Sequence, residues 1–403
     1  MKDLNVLKKL WLLYSIGASC FLLADELGNI LSDNKALLFD YQFQSNTLES
    51  DKLSTSWVNP ITLRYGKDYS TQFGNTIDTG SFTVSIDQPI FRSGGIYYAI
   101  KFSRALYDAN TAETKFQKRQ MIGDAVSILF NLEKTRLEQE KMRYQIKNDI
   151  IDIRQKRDSY ESGLLDSSFL DQAILKKSQD ETSLLQMELN LMELKQRFSL
   201  LSDKNPHNLK LPILKLMSRN HYRSQNLELK RDIFRAEQSD YNAKITWAKY
   251  LPTVSLRGQY TDGDLNPLFA NPLIEEQYYN YGFSVSMPLD INIFADVEAS
   301  KVEKLRAAVE VLDRKDTIEE EYSWIYNSLG ILDKKIALAK KDEKVYQSLF
   351  TLTKNLADAG EKTSLDADIM NHSLQIRKID QKIYNIDKQV QLLKLYVRVE
   401  DVL

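Results

Sequence analysis

In the stretch WAKYLPTVSLRGQY, Trp247 to Tyr260, a helical pattern stops at Pro252 and an alternating one begins. Upstream, Ile233, Ala236, Asp240, Ala243 and Trp247 recur every three to four residues, as on one face of a helix. Proline has no amide hydrogen and its ring meets the preceding turn, so the helix ends there. Downstream, Val254, Leu256 and Tyr260 alternate with Ser255, Arg257 and Gln259, the period of a strand with two unlike faces. A second strand is expected over Tyr281 to Leu289, with Tyr281, Phe283, Val285 and Met287 on one face and Gly282, Ser284 and Ser286 on the other. The two make a hairpin over 252–289, whose loop, Thr261 to Asn280, is rich in Asp, Asn, Gly and Pro.

A twin hairpin lies at 60–89. Pro60, Ile61, Leu63 and Tyr65 open one strand, and Phe82, Val84, Ile86 and Pro89 close the next, with Gly66 to Gly80 as the loop. Pro60 and Pro252 are 192 residues apart, Pro89 and Pro288 are 199 apart, and Gly163 and Gly360 are 197 apart. The chain therefore reads as two copies of one unit. Residues 25–205 hold a helix over about 34–57, the hairpin, a long helix over 94–160 and a return helix over 165–202. Residues 206–403 repeat the order with the second hairpin, a long helix over 293–359 and a return helix over 364–402.

The long helices follow from what is missing. Proline is absent from Ile90 to Asn205 and from Leu289 to Leu403. A helix of 94–160 at 1.5 Å per residue is roughly 100 Å long, far more than a globular domain needs. Gly163 and Gly360 end the two helices, and Asp166 or Ser167 can cap the helix that returns. Leu184, Met187, Leu191, Leu194, Phe198 and Leu201 then step by three and four, the seam of a coiled coil. The second copy has the same seams at Val302, Leu305, Val309 and Leu312, at Tyr322 to Ile336, and at Ile369 to Val397.

Composition excludes several classes. The 403 residues carry 54 basic and 56 acidic side chains, finely mixed, which argues against a nucleic-acid partner. His207, His221 and His372 are isolated from one another, and no phosphate loop, Ser/His/Asp set or metal cluster is present, so neither an enzyme nor a cofactor is expected. Lys2, Lys8 and Lys9 precede an apolar run from Leu10 to Ala24, which reads as a signal peptide over 1–24 and hence an exported chain. The sole cysteine, Cys20, lies within that run; lipid attachment there is the alternative to cleavage after Ala24.

Four strands share an apolar and a polar face, and no further strand is available to cover the apolar one. Lipid would cover it at the right length: about 10 tilted residues cross a hydrocarbon layer of roughly 25 Å. An open sheet cannot lie in hydrocarbon with its edge amides unpaired, so the barrel must be shared between chains. Arg64, Ser85, Arg257, Gln259 and Ser284, together with Thr62, Thr83, Ser255 and Ser286, would then line the lumen.

The residues also carry a resemblance. The junctions Tyr250-Leu251-Pro252-Thr253-Val254-Ser255-Leu256, Val84-Ser85-Ile86-Asp87-Gln88-Pro89-Ile90-Phe91 and Phe283-Ser284-Val285-Ser286-Met287-Pro288-Leu289, with Gly163-Leu164, Gly360 and the two copies, resemble the TolC family of outer-membrane efflux proteins. The resemblance covers nearly the whole chain after the apolar run. It implies a mostly α fold with a small β part: a homotrimer in which coiled-coil helices form an α-barrel in the periplasm, continued by a shared 12-stranded transmembrane β-barrel. It further implies a passive exit duct of a tripartite efflux or type I secretion system. Its partners would be outer-membrane lipid, a periplasmic adaptor protein and an inner-membrane pump of the RND or ABC type. Gly163, Leu164 and Gly360 would form the tip that meets the adaptor. At the periplasmic gate, Asp366 stands at a family carboxylate position and Lys362 where arginine is frequent. Asp368 lies one residue from a second carboxylate position, which Ile369 occupies. Heptads alone would fit an exported coiled-coil structural or adhesive protein, and the proline-bounded hairpins of lipid-crossing length weigh against it.

Overall fold

The computed structural model describes residues 30–71, 74, 76–264 and 275–400. The expected signal segment, Cys20, and the second hairpin loop from 265 to 274 lie outside them. The elements in order are α1 (Asp33–Ser54), β1 (Thr62–Ser70), β2 (Ile77–Phe91), α2 (Gly95–Glu161), α3 (Ser167–Ser199), α4 (Arg219–Gln225), α5 (Leu227–Lys249), β3 (Thr253–Gly263), β4 (Gln277–Ser286), α6 (Ile293–Asp358) and α7 (Ser364–Tyr396). No described helix is long and apolar enough to cross a membrane.

The hairpins are longer than their apolar residues alone indicate. Gly66 pairs with Ser81 and Ser70 with Ile77, so the first loop is 71–76 and not Gly66 to Gly80. The second ladder reaches Asp262 opposite Gln277, which shortens the loop expected from Thr261 to Asn280. Backbone pairing carried both ladders through polar residues that the alternation could not reveal. Conversely, β4 stops at Ser286, short of the expected Leu289, because Pro288 has no amide to donate. β3 joins the two hairpins in the order β1-β2-β3-β4, with a register shift between Pro89 and Phe91 where Pro89 again withholds a donor.

The chain forms two compact units that cut across the sequence repeats. One combines Tyr41–Thr114 with Glu228–Lys315 and holds the sheet; the other combines Lys115–Leu227 with Asp316 onward and the first residues of α1. In the sheet unit, α1 meets α2 at Ser50 and Ser103, whose hydroxyl oxygens lie 3.1 Å apart. Asn46 Nδ2 donates to Thr114 Oγ1 at 3.0 Å in that contact. Tyr250 is buried and its hydroxyl donates to Asp296, tying the start of β3 to the first turn of α6. Trp247, the last residue of the periodic face of α5, is exposed, and Ala248 beside it is buried.

In the other unit, Leu137 of α2 packs with Ile379 and Ile383 of α7, flanked by Tyr144 and Ile386. Gly123 exists for the same helix pair: a Cβ there would stand 2.2 Å from Val397 Cγ2. Two features of this unit have no counterpart in the sequence reading, the short helix α4 and the bridge between Asn226 and Val399. The return helices also end earlier than expected, at Ser199 and Tyr396.

Candidate functional site

Register sorts the sheet into two faces. Thr62 lies opposite Ser85, Ser85 opposite Gln259, and Gln259 opposite Asn280; Arg64 is opposite Thr83 and Ser255 opposite Ser284. All five expected lumen residues, Arg64, Ser85, Arg257, Gln259 and Ser284, therefore share one face. A cleft of about 590 Å³ lies over it, lined by Thr62, Ser85, Asp87, Arg257, Gln259 and Asn280 among others. Arg257 Nε donates to Asp87 Oδ2 at 3.0 Å across β2 and β3.

The opposite face is apolar row by row. Leu63, Val84, Tyr260 and Tyr279 form one row, Ile86, Gly258 and Tyr281 the next, and Leu256 with Phe283 a third. Tyr281 is 85% exposed and Phe283 75% exposed, so no described part of the chain covers this face. The polar interloper Gln88, paired with Leu256, is satisfied locally: it accepts from Asn59 N at 2.9 Å and donates to Trp57 O at 3.1 Å. Tyr279 and Tyr281 stack at 6.3 Å on the apolar side, whereas Tyr278 sits with Thr261 on the polar one.

The two expected tips are built alike. Leu164 N donates to Ser159 O and Gly163 N to Tyr160 O, both at 2.9 Å; Glu361 N donates to Leu356 O at 2.8 Å and Gly360 N to Ala357 O at 3.0 Å. Both glycines have φ near +75°, at +70° and +79°. This is the doubled bond of a helix end closed by a left-handed residue. Three residues on, each return helix is capped, by Asp166 accepting from Ser168 N and by Thr363 accepting from Asp366 N. Leu164 is 81% exposed.

The three expected gate residues have unequal surroundings. Asp366 closes a capping box, accepting from Thr363 N at 3.2 Å and Thr363 Oγ1 at 2.9 Å, and its other oxygen accepts from Gln155 Nε2 of α2 at 3.0 Å. These bonds, with the Lys362 charge, hold its carboxyl below the usual range. Lys362 lies in the turn, its amide donating to Leu356 O at 3.2 Å. Asp368 is exposed and its charge acts on His372. Gln155 has no signal in the sequence, since it is one polar residue among many on α2.

Histidine environments differ too. His372 is hydrogen-bonded at Nδ1 to Asn148 at 2.8 Å and packs on Tyr144; burial holds its pKa down. His207 lies 2.7 Å from the Arg136 guanidinium. Asp149 of α2 is buried against Lys176 of α3, and burial pushes its carboxyl up. Of the acidic loop residues, Asp262 accepts from Gln277 at 3.2 Å and Asp264 from Gly80 N at 2.7 Å. Among the described residues no His, Cys, Asp and Glu cluster is arranged to hold a metal ion.

No protein-family model matches the sequence, and no curated protein matches it. Solved structures do match. The outer membrane protein VceC from Vibrio cholerae aligns over 95% of this chain and 97% of its own, with a TM-score of 0.74 at 15% identity. The Campylobacter jejuni CmeC outer membrane channel aligns over 94% of this chain and 86% of its own, with a TM-score of 0.71 at 14% identity. The open state of the Neisseria gonorrhoeae MtrE outer membrane channel aligns over 93% and 88%, with a TM-score of 0.63 at 12% identity. Such full-length agreement at low identity is agreement of architecture. Long helices returning at glycine-closed tips and one four-stranded sheet with an uncovered apolar face are thus the fold of TolC-type outer-membrane channels.

Proposed function

We propose that the chain is an outer-membrane channel, the passive exit duct of a tripartite efflux or type I secretion system. The carrying observation is the sheet. One face is polar, the other is apolar and uncovered, and among the described residues β1 and β4 each pair on one side only. Unpaired edge amides are too costly in hydrocarbon, so edges from neighbouring copies close the barrel. Three copies give twelve strands, with Arg64, Ser85, Arg257, Gln259 and Ser284 on the water-filled side. The helices continue this barrel as a periplasmic tunnel. Its glycine tips, Gly163-Leu164 and Gly360, meet an adaptor protein that works with an inner-membrane pump of the RND or ABC type. The fold of known outer-membrane channels supports this reading, and so does the strand length.

Asp366, with Lys362 and Asp368 nearby in sequence, belongs to the periplasmic gate in this reading. Three copies of its carboxylate around a narrow opening attract cations. Its low pKa, set by Thr363 and Gln155, keeps it charged at neutral pH. Single-channel recording in planar bilayers tests both levels. The wild type should open ion-conducting pores, and Asp366→Asn should weaken cation preference and block by a trivalent cation added on the helical side. Absence of any pore overturns the channel; unchanged block with normal pores removes Asp366 from the bore and leaves it as a helix cap.

A further inference from the structure

The uncovered apolar surface does not stop where the sheet stops. On β4 the outward positions are the odd ones, Tyr279, Tyr281, Phe283 and Val285, and the last ladder pair is Ser286 with Thr253. Met287, Leu289 and Ile291 keep that parity through the segment leading into α6, and they are 53%, 92% and 93% exposed. The residues between them are Pro288 and Asp290, and Asp290 is turned to local work: Oδ1 accepts from Asn292 N at 2.9 Å and its carbonyl from Ile293 N at 3.3 Å. Two large aliphatic side chains at full exposure beside a satisfied turn are a surface waiting for an apolar environment.

The height of the apolar band decides how far that environment extends. On the loop side, the row beyond Tyr279 holds Gln277 and Asp262 on β4 and β3 and turns aromatic at Phe82 and Tyr65 on β2 and β1, so on β4 itself the apolar band begins at Tyr279. From Tyr279 to Val285, at 3.3 Å per residue and a tilt of about 40°, it rises only about 15 Å, short of the roughly 25 Å of an outer-membrane apolar belt. Counting on to Leu289 brings it to about 25 Å. A second copy pairing with β4 would add a strand along the edge and leave this face open, so the face needs a different occupant.

We infer that the acyl chains of the periplasmic-side leaflet cover the β4–α6 junction, with Met287 and Leu289 in the hydrocarbon and Ile291 at its boundary. This rests on the channel reading, and it sets the membrane boundary beyond the sheet, in the turn just before α6.

Spin labels on single introduced cysteines test it in the assembled channel in lipid vesicles, using Leu289→Cys and Ile291→Cys, with Leu256→Cys and Arg257→Cys as references for the two sheet faces. Collision with oxygen, which partitions into lipid, is compared with collision with a water-soluble nickel chelate. The expected result is oxygen above nickel at Leu256→Cys and Leu289→Cys, a smaller excess at Ile291→Cys, and the reverse order at Arg257→Cys. Nickel above oxygen at Leu289→Cys, with Leu256→Cys still in lipid, overturns the inference and spares the channel. Protection of Leu289→Cys from both reagents also overturns it, because protein then covers the junction. Nickel above oxygen at Leu256→Cys overturns the channel reading itself.

Discussion

Single residues carry the tightest constraints. At Gly123 two effects oppose each other. Alanine would favour the helix by about 1 kcal/mol, but its Cβ would stand 2.2 Å from Val397 Cγ2, a short branched side chain beside the last turn of α7. Overpacking of that kind costs about 1–3 kcal/mol, so the clash wins. Gly123→Ala should lower the melting temperature of the folded chain in detergent, followed by helical circular dichroism, and Val397→Ala added to it should restore part of the loss. At the capping box, Thr363→Ala should cost about 1 kcal/mol. Asp366 has a folded pKa below its unfolded one. Its contribution is therefore fully present above the ordinary carboxylate pKa of about 4 and is lost as pH falls through the lower folded value. The stability difference between wild type and Asp366→Ala should be level near neutrality and shrink in acid; a difference that grows in acid would contradict the cap.

At the scale of elements, the sheet and α6 each present apolar residues that the described residues leave uncovered. Leu256 and Arg257 are neighbours on β3 that point to opposite faces, since Leu256 pairs with Phe283 and Arg257 with Gly282. If lipid covers the Leu256 face, Leu256→Arg should cost about 2–4 kcal/mol near the membrane midplane. Arg257→Ser should leave assembly intact, giving up only the pair with Asp87. Equal losses of membrane-inserted oligomer in the two variants would mean that the faces are reversed. On α6 two apolar seams have different fates: Tyr322, Ile325 and Leu329 are buried within the chain, whereas Val302, Leu305, Val309 and Leu312 are more than half exposed. The exposed seam suits contact with another copy. Val302→Asp with Val309→Asp should therefore weaken the oligomer while leaving the helix content of the chain unchanged.

For the whole molecule, β1 and β4 decide the count of chains. In the proposed channel four strands cannot close alone, since membrane barrels begin at about 8 strands, and the proposed twelve-stranded barrel takes three chains. Mass measurement in detergent should give three times the 46.7 kDa of the full chain, less whatever segment is removed on export. A monomer that retains the circular dichroism of a complete sheet would count against a shared barrel.

The sequence by itself determined the kinds of element and their order. Prolines at 60, 89, 252 and 288 mark where strands meet helices, because a missing amide acts through the backbone nearest to it. Gly163 and Gly360 mark the two returns, because each left-handed helix end is closed by hydrogen bonds within six residues. The faces of the strands were equally legible, since alternation is a property of consecutive residues. What only the tertiary structure decided joins residues far apart in the chain. The ladders run through polar residues to Ser70 and Asp262 because the partner backbone is there to pair with them. Trp247 faces out and Ala248 in because the orientation of α5 is set by what packs on it. Gln155 meets Asp366 across 211 residues, and Gly123 makes room for Val397 across more than that. Of two apolar seams on α6, the one at Tyr322, Ile325 and Leu329 is buried and the one from Val302 to Leu312 is bare, because a periodic stripe states that a partner is needed and leaves open whether the same chain supplies it.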